Sequence, residues 1–269
     1  MTQSLSLRDL VADTLNKTAR VIVPSLPYGA LFVVACAVLV FCAGTLPEGG
    51  AGFVVFAVLF FAALYAHSLF SAAMYRAALA SQGGLMSSAW KLTLAWLLVL
   101  VVASIAATIV LLFFSLIGAS LGVASGAAGQ EITDMTAEMR AGGTFWPLFV
   151  VFIATMLGLF WFAVRLMLFA GATVVRHQVH VFRTWYWTKG RVIILAPLMI
   201  IFIVLPISVL AVIAQTGTTA IFGVLETPLE MGISVAFVTL IMLPSAWLGH
   251  GFAASAYERL APHEAVDEI

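Results

Sequence analysis

Three sets of residues in this chain are of types that could do chemistry. Ser120, in Gly-Ala-Ser-Leu-Gly, and His250, in Gly-His-Gly, are the residue types of an intramembrane nucleophile and its base. A serine hydroxyl attacks a carbonyl only when such a base stands within hydrogen-bond reach to take its proton. His177 and His180 lie three apart and could share one helix face, as paired metal ligands do. The stretch 165–191, RLMLFAGATVVRHQVHVFRTWYWTKGR, gathers five of the chain's 12 Lys and Arg: Arg165, Arg176, Arg183, Lys189 and Arg191. With them come the aromatic residues Trp185, Tyr186 and Trp187. Cations beside Trp and Tyr are the chemistry of a membrane interface, able to hold a phosphate or carboxylate at headgroup level.

Which of these sets can work depends on the elements that carry them. The chain is 63% hydrophobic and 9% charged, against roughly 25% charged in soluble proteins, and its mean hydropathy is +1.14. Lipid must solvate much of this surface. The formal net charge is zero, which removes the electrostatic case for nucleic acid. Six apolar runs are long enough to cross a bilayer at about 20 residues per crossing: 25–44, 52–74, 93–121, 146–168, 192–214 and 231–252. They predict an all-α membrane protein of six transmembrane helices in three hairpins, residues 25–262. The runs are too long for barrel strands and lack their alternation.

The cations orient it. Arg8, Lys17, Arg20, Arg76, Lys91, Arg165, Arg176, Arg183, Lys189, Arg191 and Arg259 fall on one side, and of the 12 only Arg140 falls on the other. By the positive-inside rule both termini are cytoplasmic. No cleavable leader is expected, because MTQSLSLRDLVADTLNKTAR carries charges where an apolar core should be. Residues 1–24 read instead as an amphipathic helix on the inner membrane face or against protein, and 263–269 as a short acidic tail.

With sides assigned, Ser120 lies at the outer end of the third crossing and His250 at the inner end of the sixth. A bilayer core of about 30 Å separates them, so they cannot be nucleophile and base. His67 also sits near an inner end and serves Ser120 no better. His177 and His180 have no carboxylate or Cys beside them and read as solvated interface residues. Cys36 and Cys42, six apart in one run, face different ways and pair neither with each other nor with a metal. No Walker motif, dinucleotide fingerprint or HExxH occurs, so no cofactor and no enzyme is expected. No titratable group is expected at mid-depth. Arg165, the deepest cation, reads as a snorkelling side chain, for which exchange to Lys would be mild.

Other features are structural. Gly118, Gly122 and Gly126, four apart, make a strip of bare backbone where a helix of the same chain, or a second copy, can approach closely. Ile132, Met135 and Met139 suggest a short surface helix in the outer loop. Pro197 and Pro206 should bend the fifth crossing, and Pro244 lies in the sixth. There is a hint of repetition: Lys17…Arg20…Pro24 and Lys189…Arg191…Pro197 lead into crossings, and Phe70…Tyr75 and Phe252…Tyr257 close them at one spacing.

The layout, with a Tyr75-Arg76 close to the second helix and VRLMLFAGATVV running into Arg183-Thr-Trp-Tyr-Trp-Thr-Lys189-Gly190, resembles a group of bacterial inner-membrane proteins. These are related to the membrane domain of glycerophosphodiester phosphodiesterases and carry V-R-L…P…S-W…T-K-G in the same loop. Where that group often has Pro, this chain has Ala170, Gly171 and Ala172. The resemblance implies a fold, no catalytic domain and no site residues. The expectation is a non-enzymatic accessory or scaffold protein of a bacterial inner membrane. It would use Arg165, Arg176, Arg183, Trp185, Trp187, Lys189 and Arg191 to contact anionic phospholipid or another membrane protein. The alternative is a small-molecule or lipid transporter with a cavity among proline-bent helices.

Overall fold

A computed structural model describes residues 7–47, 49–125, 143 and 145–261, and every regular element among them is helical. In chain order they are α1 (Leu7–Ala43), α2 (Gly50–Leu79), α3 (Leu85–Ser125), α4 (Phe145–Leu166), α5 (Phe169–Val175), α6 (Thr184–Trp187) and α7 (Val192–Met199). A π-helical turn (Ile200–Val204), α8 (Leu205–Phe222) and α9 (Pro228–Leu260) complete them. Six stretches are helical, long and apolar enough to cross a membrane. Many of their large apolar side chains face outward, Val23, Val58 and Ile109 among them. A bilayer is the solvent such a surface calls for.

The chain divides into two compact units, residues 97–163 and the remainder. The smaller holds the C-terminal part of α3 and most of α4 and exposes Leu111, Leu112, Val150 and Leu157. The larger holds the core. Its axis is the antiparallel pair α1–α9. Trp247 Nε1 donates to Ser25 Oγ at 3.0 Å, and a side chain at Gly232 would meet the Ala37 carbonyl at 3.1 Å. On another side α1 pairs antiparallel with α2, where Phe32 stacks on Phe70 with ring centroids 6.3 Å apart. Lys17 joins the ends of all three helices: its Nζ donates to the Ala78 carbonyl at 3.2 Å and pairs with Glu258 at 2.7 Å.

Two features differ from the sequence-based expectation. Residues 7–24 are not a separate helix, because α1 runs unbroken through Pro24 and Pro27. A proline removes one backbone donor and leaves the rest of the ladder intact, and Ser25 Oγ returns a bond to the Ile22 carbonyl at 3.1 Å. The amphipathic pattern is real, but Leu10, Thr14, Lys17, Val21, Ser25 and Gly29 turn it toward protein. The fifth crossing is interrupted as expected, though by a wider turn: Leu205 N–H reaches back to the Ile200 carbonyl just before Pro206.

Gly118 and Gly122 lie in the last turns of α3, but their surroundings fall outside the described residues, as do Gly126, the 126–142 segment with Arg140, and the acidic tail.

Candidate functional site

The 165–191 segment is partly helical and its first half is largely buried. After α4 the chain turns at Met167 and Leu168 and forms α5, whose residues Phe169 through Val174 are all buried. Small residues permit this. A side chain at Gly171 would meet Tyr75 Cε1 at 3.3 Å and Tyr257 Cγ at 3.5 Å, so α5 sits between the two tyrosines that close α2 and α9. Hydroxyls then tie the segment together. Thr188 Oγ1 donates toward the carbonyls of Trp185 at 3.1 Å and Arg165 at 3.3 Å. Thr184 Oγ1 donates to Val181 at 2.8 Å, and the His180 N–H to Thr173 Oγ1 at 3.2 Å. The two histidines go separate ways: His180 is buried, contrary to expectation, while His177 is exposed and packs its ring against Gly83.

The cations fall into two classes. Arg165 is 6% exposed and does not snorkel. Its guanidinium lies 4.6 Å over the Trp185 ring, and that of Arg176 lies 4.7 Å over Trp187, whose edge meets Tyr257. These four side chains are engaged within the fold, so neither Trp is a free interfacial anchor. Arg183 and Lys189 are exposed and Arg191 is half-buried, beside outward-facing Phe182, Tyr186 and Ile193. A buried, stacked arginine is not replaceable by a point charge. Arg165→Lys is therefore expected to lower thermal stability in detergent by about 1–2 kcal/mol, the scale of a desolvated cation–π contact. Arg183→Ala should stay within about 0.5 kcal/mol, as exposed positions do. Equal melting of the two variants would remove the distinction.

The structure also assembles a site that the sequence reading does not bring together. Ser71 of α2 and His250 of α9 approach to 2.6 Å between Oγ and Nε2, and His250 Nδ1 lies 2.7 Å from the Ala246 carbonyl. A carbonyl only accepts, so Nδ1 carries the proton. In the neutral ring Nε2 then accepts from the Ser71 hydroxyl. Tyr75 packs on His250 at 4.9 Å. One turn before Ser71, His67 lies between Phe32 at 5.1 Å and Trp96 at 5.4 Å, and Phe169 of α5 closes on Trp96 at 4.9 Å. His67 Nδ1 and Trp96 Nε1 are buried with no hydrogen-bond partner among the described residues. His67 and His250 lie toward the same ends of α2 and α9 as Arg76 and Arg259, and what the sequence does not show is that the fold brings Ser71 to His250. The local signal was His67, Ser71 and Tyr75 at intervals of four, a single face of α2.

An apolar groove of about 290 Å³ runs between α8 and α9, lined by Pro206, Val209, Leu210, Pro244 and Leu248. Its one hydroxyl, on Ser245, is spent on the Met242 carbonyl at 2.7 Å. The groove has the chemistry of a hydrocarbon chain and not of a polar solute.

No family model, no curated protein and no solved structure matches this chain.

Proposed function

We propose that this is a multi-pass protein of a bacterial cytoplasmic membrane, with both termini in the cytoplasm, and that it retains anionic phospholipid headgroups at the 165–191 cap. It then acts as an accessory or scaffold component at that face. The observation that carries this reading is the exposure of Arg183 and Lys189 beside Phe182, Tyr186 and Ile193, on a segment whose other half is buried. Cations interleaved with outward aromatic and apolar side chains suit headgroup depth, where each cation contributes about 1 kcal/mol with anionic lipid. The eleven cations on one side support the orientation.

The groove at Pro206 and Pro244 favours a second reading, a lipid-handling protein, since an acyl chain fits its walls.

Native mass spectrometry from nanodiscs of mixed phosphatidylglycerol and phosphatidylethanolamine tests the first. The parent should retain phosphatidylglycerol. The Arg183→Ala/Lys189→Ala variant should retain it roughly 30-fold more weakly, two cations at about 1 kcal/mol each. Equal retention would refute headgroup binding at the cap.

A further inference from the structure

We propose that Ser71 is an intramembrane nucleophile, activated by His250, for acyl transfer from an uncharged ester dissolved in the bilayer. The pair has the arrangement such chemistry requires: nucleophile on base, and base oriented by a third group, here the Ala246 carbonyl. The tautomer is the correct one, with Nε2 free of its own proton and facing the hydroxyl.

Ser71 is unusual among the buried hydroxyls of this chain. Inside helices a serine or threonine ordinarily bonds back to its own helix. Ser68 does so to Leu64 at 2.9 Å, Thr93 to Ala89 at 2.9 Å, and Ser245 to Met242 at 2.7 Å. Ser71 points across to α9 instead. One turn before it on α2 is His67, which packs on Trp96; His67 Nδ1 and Trp96 Nε1 are buried with no hydrogen-bond partner among the described residues.

Depth and charge indicate the substrate class. At 1.5 Å per residue α2 is about 45 Å long, the thickness of a bilayer with its headgroups. Ser71 lies roughly 12 Å from the Leu79 end, a few ångströms inside the hydrocarbon, close to the level of acyl ester linkages. Ser71 is fully buried and Tyr75 packs on His250; one turn away on α2, His67 lies among Phe32 and Trp96, and none of these aromatic side chains carries a charge at neutral pH. An uncharged ester carbonyl suits this site, and a free carboxylate or phosphate does not.

The step balances. Ser71 Oγ bonds to the acyl carbon as its proton passes to His250 Nε2. The bond from that carbon to the alcohol oxygen breaks, and His250 returns the proton to the departing alkoxide. Water, or a second alcohol, then attacks the acyl-serine by the same proton route, releasing the acid or a new ester and restoring Ser71.

This inference goes beyond the headgroup reading and does not need it. The test uses the full-length protein in nanodiscs and a short-chain alkyl fluorophosphonate, which phosphonylates an activated serine with loss of fluoride. Tandem mass spectrometry should place one adduct on Ser71. The adduct should be absent from Ser71→Ala and from heat-unfolded protein, and formed at least 100-fold more slowly by folded His250→Gln, the scale of a lost general base. Phosphatidylglycerol retention, read by native mass spectrometry on the same parent and Ser71→Ala preparations, should be equal, which separates this proposal from headgroup binding. A native parent that gives no Ser71 adduct, or no more than unfolded chain gives, overturns the proposal without reference to any variant. Undiminished labelling of folded His250→Gln overturns the role of the base.

Discussion

The Gly251→Leu variant is expected to accumulate almost no folded protein. At Gly251 the backbone of α9 lies directly against that of α1. A Cβ there would stand 2.9 Å from both the Thr14 carbonyl oxygen and the Thr18 backbone nitrogen, and would collide with Thr18 Oγ1. Thr18 cannot simply swing away, because the two backbone atoms remain and Oγ1 is already bonded to the Thr14 carbonyl at 2.8 Å. Relief requires the helices to separate, which also strains the Ser25–Trp247 and Lys17–Glu258 contacts on either side. Overpacking costs about 1–3 kcal/mol when side chains can adjust, and here backbone must move, so Leu should reach or exceed the top of that range. Gly251→Ala should fall between. Gly158→Leu, at a position with nothing within 4 Å, should be neutral. Folded yield and elution in detergent report the series, and a Gly251→Leu protein that elutes like the parent would mean that α1 and α9 are farther apart than described.

The second large effect concerns Lys17. Its side chain is 5% exposed, while that of its partner Glu258 is 48% exposed. Removing Glu258 leaves a buried ammonium with the Ala78 carbonyl as its remaining bond. Breaking a buried pair from one side costs about 3–5 kcal/mol, and the exposure of Glu258 lowers this, because water can reach one end of the pair. Glu258→Ala is expected to cost about 2 kcal/mol. Lys17→Met should cost less than about 1 kcal/mol, since an apolar chain of similar length fills the site without a charge. In the double variant the Glu258→Ala change should cost almost nothing further. A Glu258→Ala cost below about 0.5 kcal/mol would reduce the pair to an ordinary surface contact.

What the chain discloses unaided follows from which physical signals are local. Apolar length is local, so all six crossings were legible, and their ends extend past the expected runs because stretches such as Tyr75–Leu79 and Ser255–Leu260 continue the helix into packed protein. The proline interruption at Pro206 was legible for the same reason. Burial is not local. Nothing in ArgLeuMetLeuPheAlaGlyAla marks Arg165 as buried, because the Trp185 ring that covers it arrives twenty residues later. The cation count separates the two sides of a membrane but is blind to depth, and so it grouped Arg165 and Arg176 with Arg183 and Lys189. The Ser71–His250 pair spans 179 residues, a separation over which no periodicity speaks. Small residues around Ser120 stand out in sequence, while a serine on a helix face such as Ser71 does not. The equal spacing of Phe70–Tyr75 and Phe252–Tyr257 was the one long-range clue: both tyrosines end against Gly171.

The 165–191 segment folds into a cap with a buried half and an exposed half, and its proposed place is the cytoplasmic face. Cysteine accessibility tests it most directly, in a background where Cys36 and Cys42 are replaced by Ala. Gln178 and Gly143 are exposed, and Thr188 is fully buried. With a membrane-impermeant maleimide, Gly143→Cys should label in intact cells. Gln178→Cys should label only after permeabilisation, and Thr188→Cys only after denaturation. Labelling of Gln178→Cys in intact cells would contradict the orientation, and labelling of Thr188→Cys as fast as Gln178→Cys in permeabilised cells would contradict the folded cap.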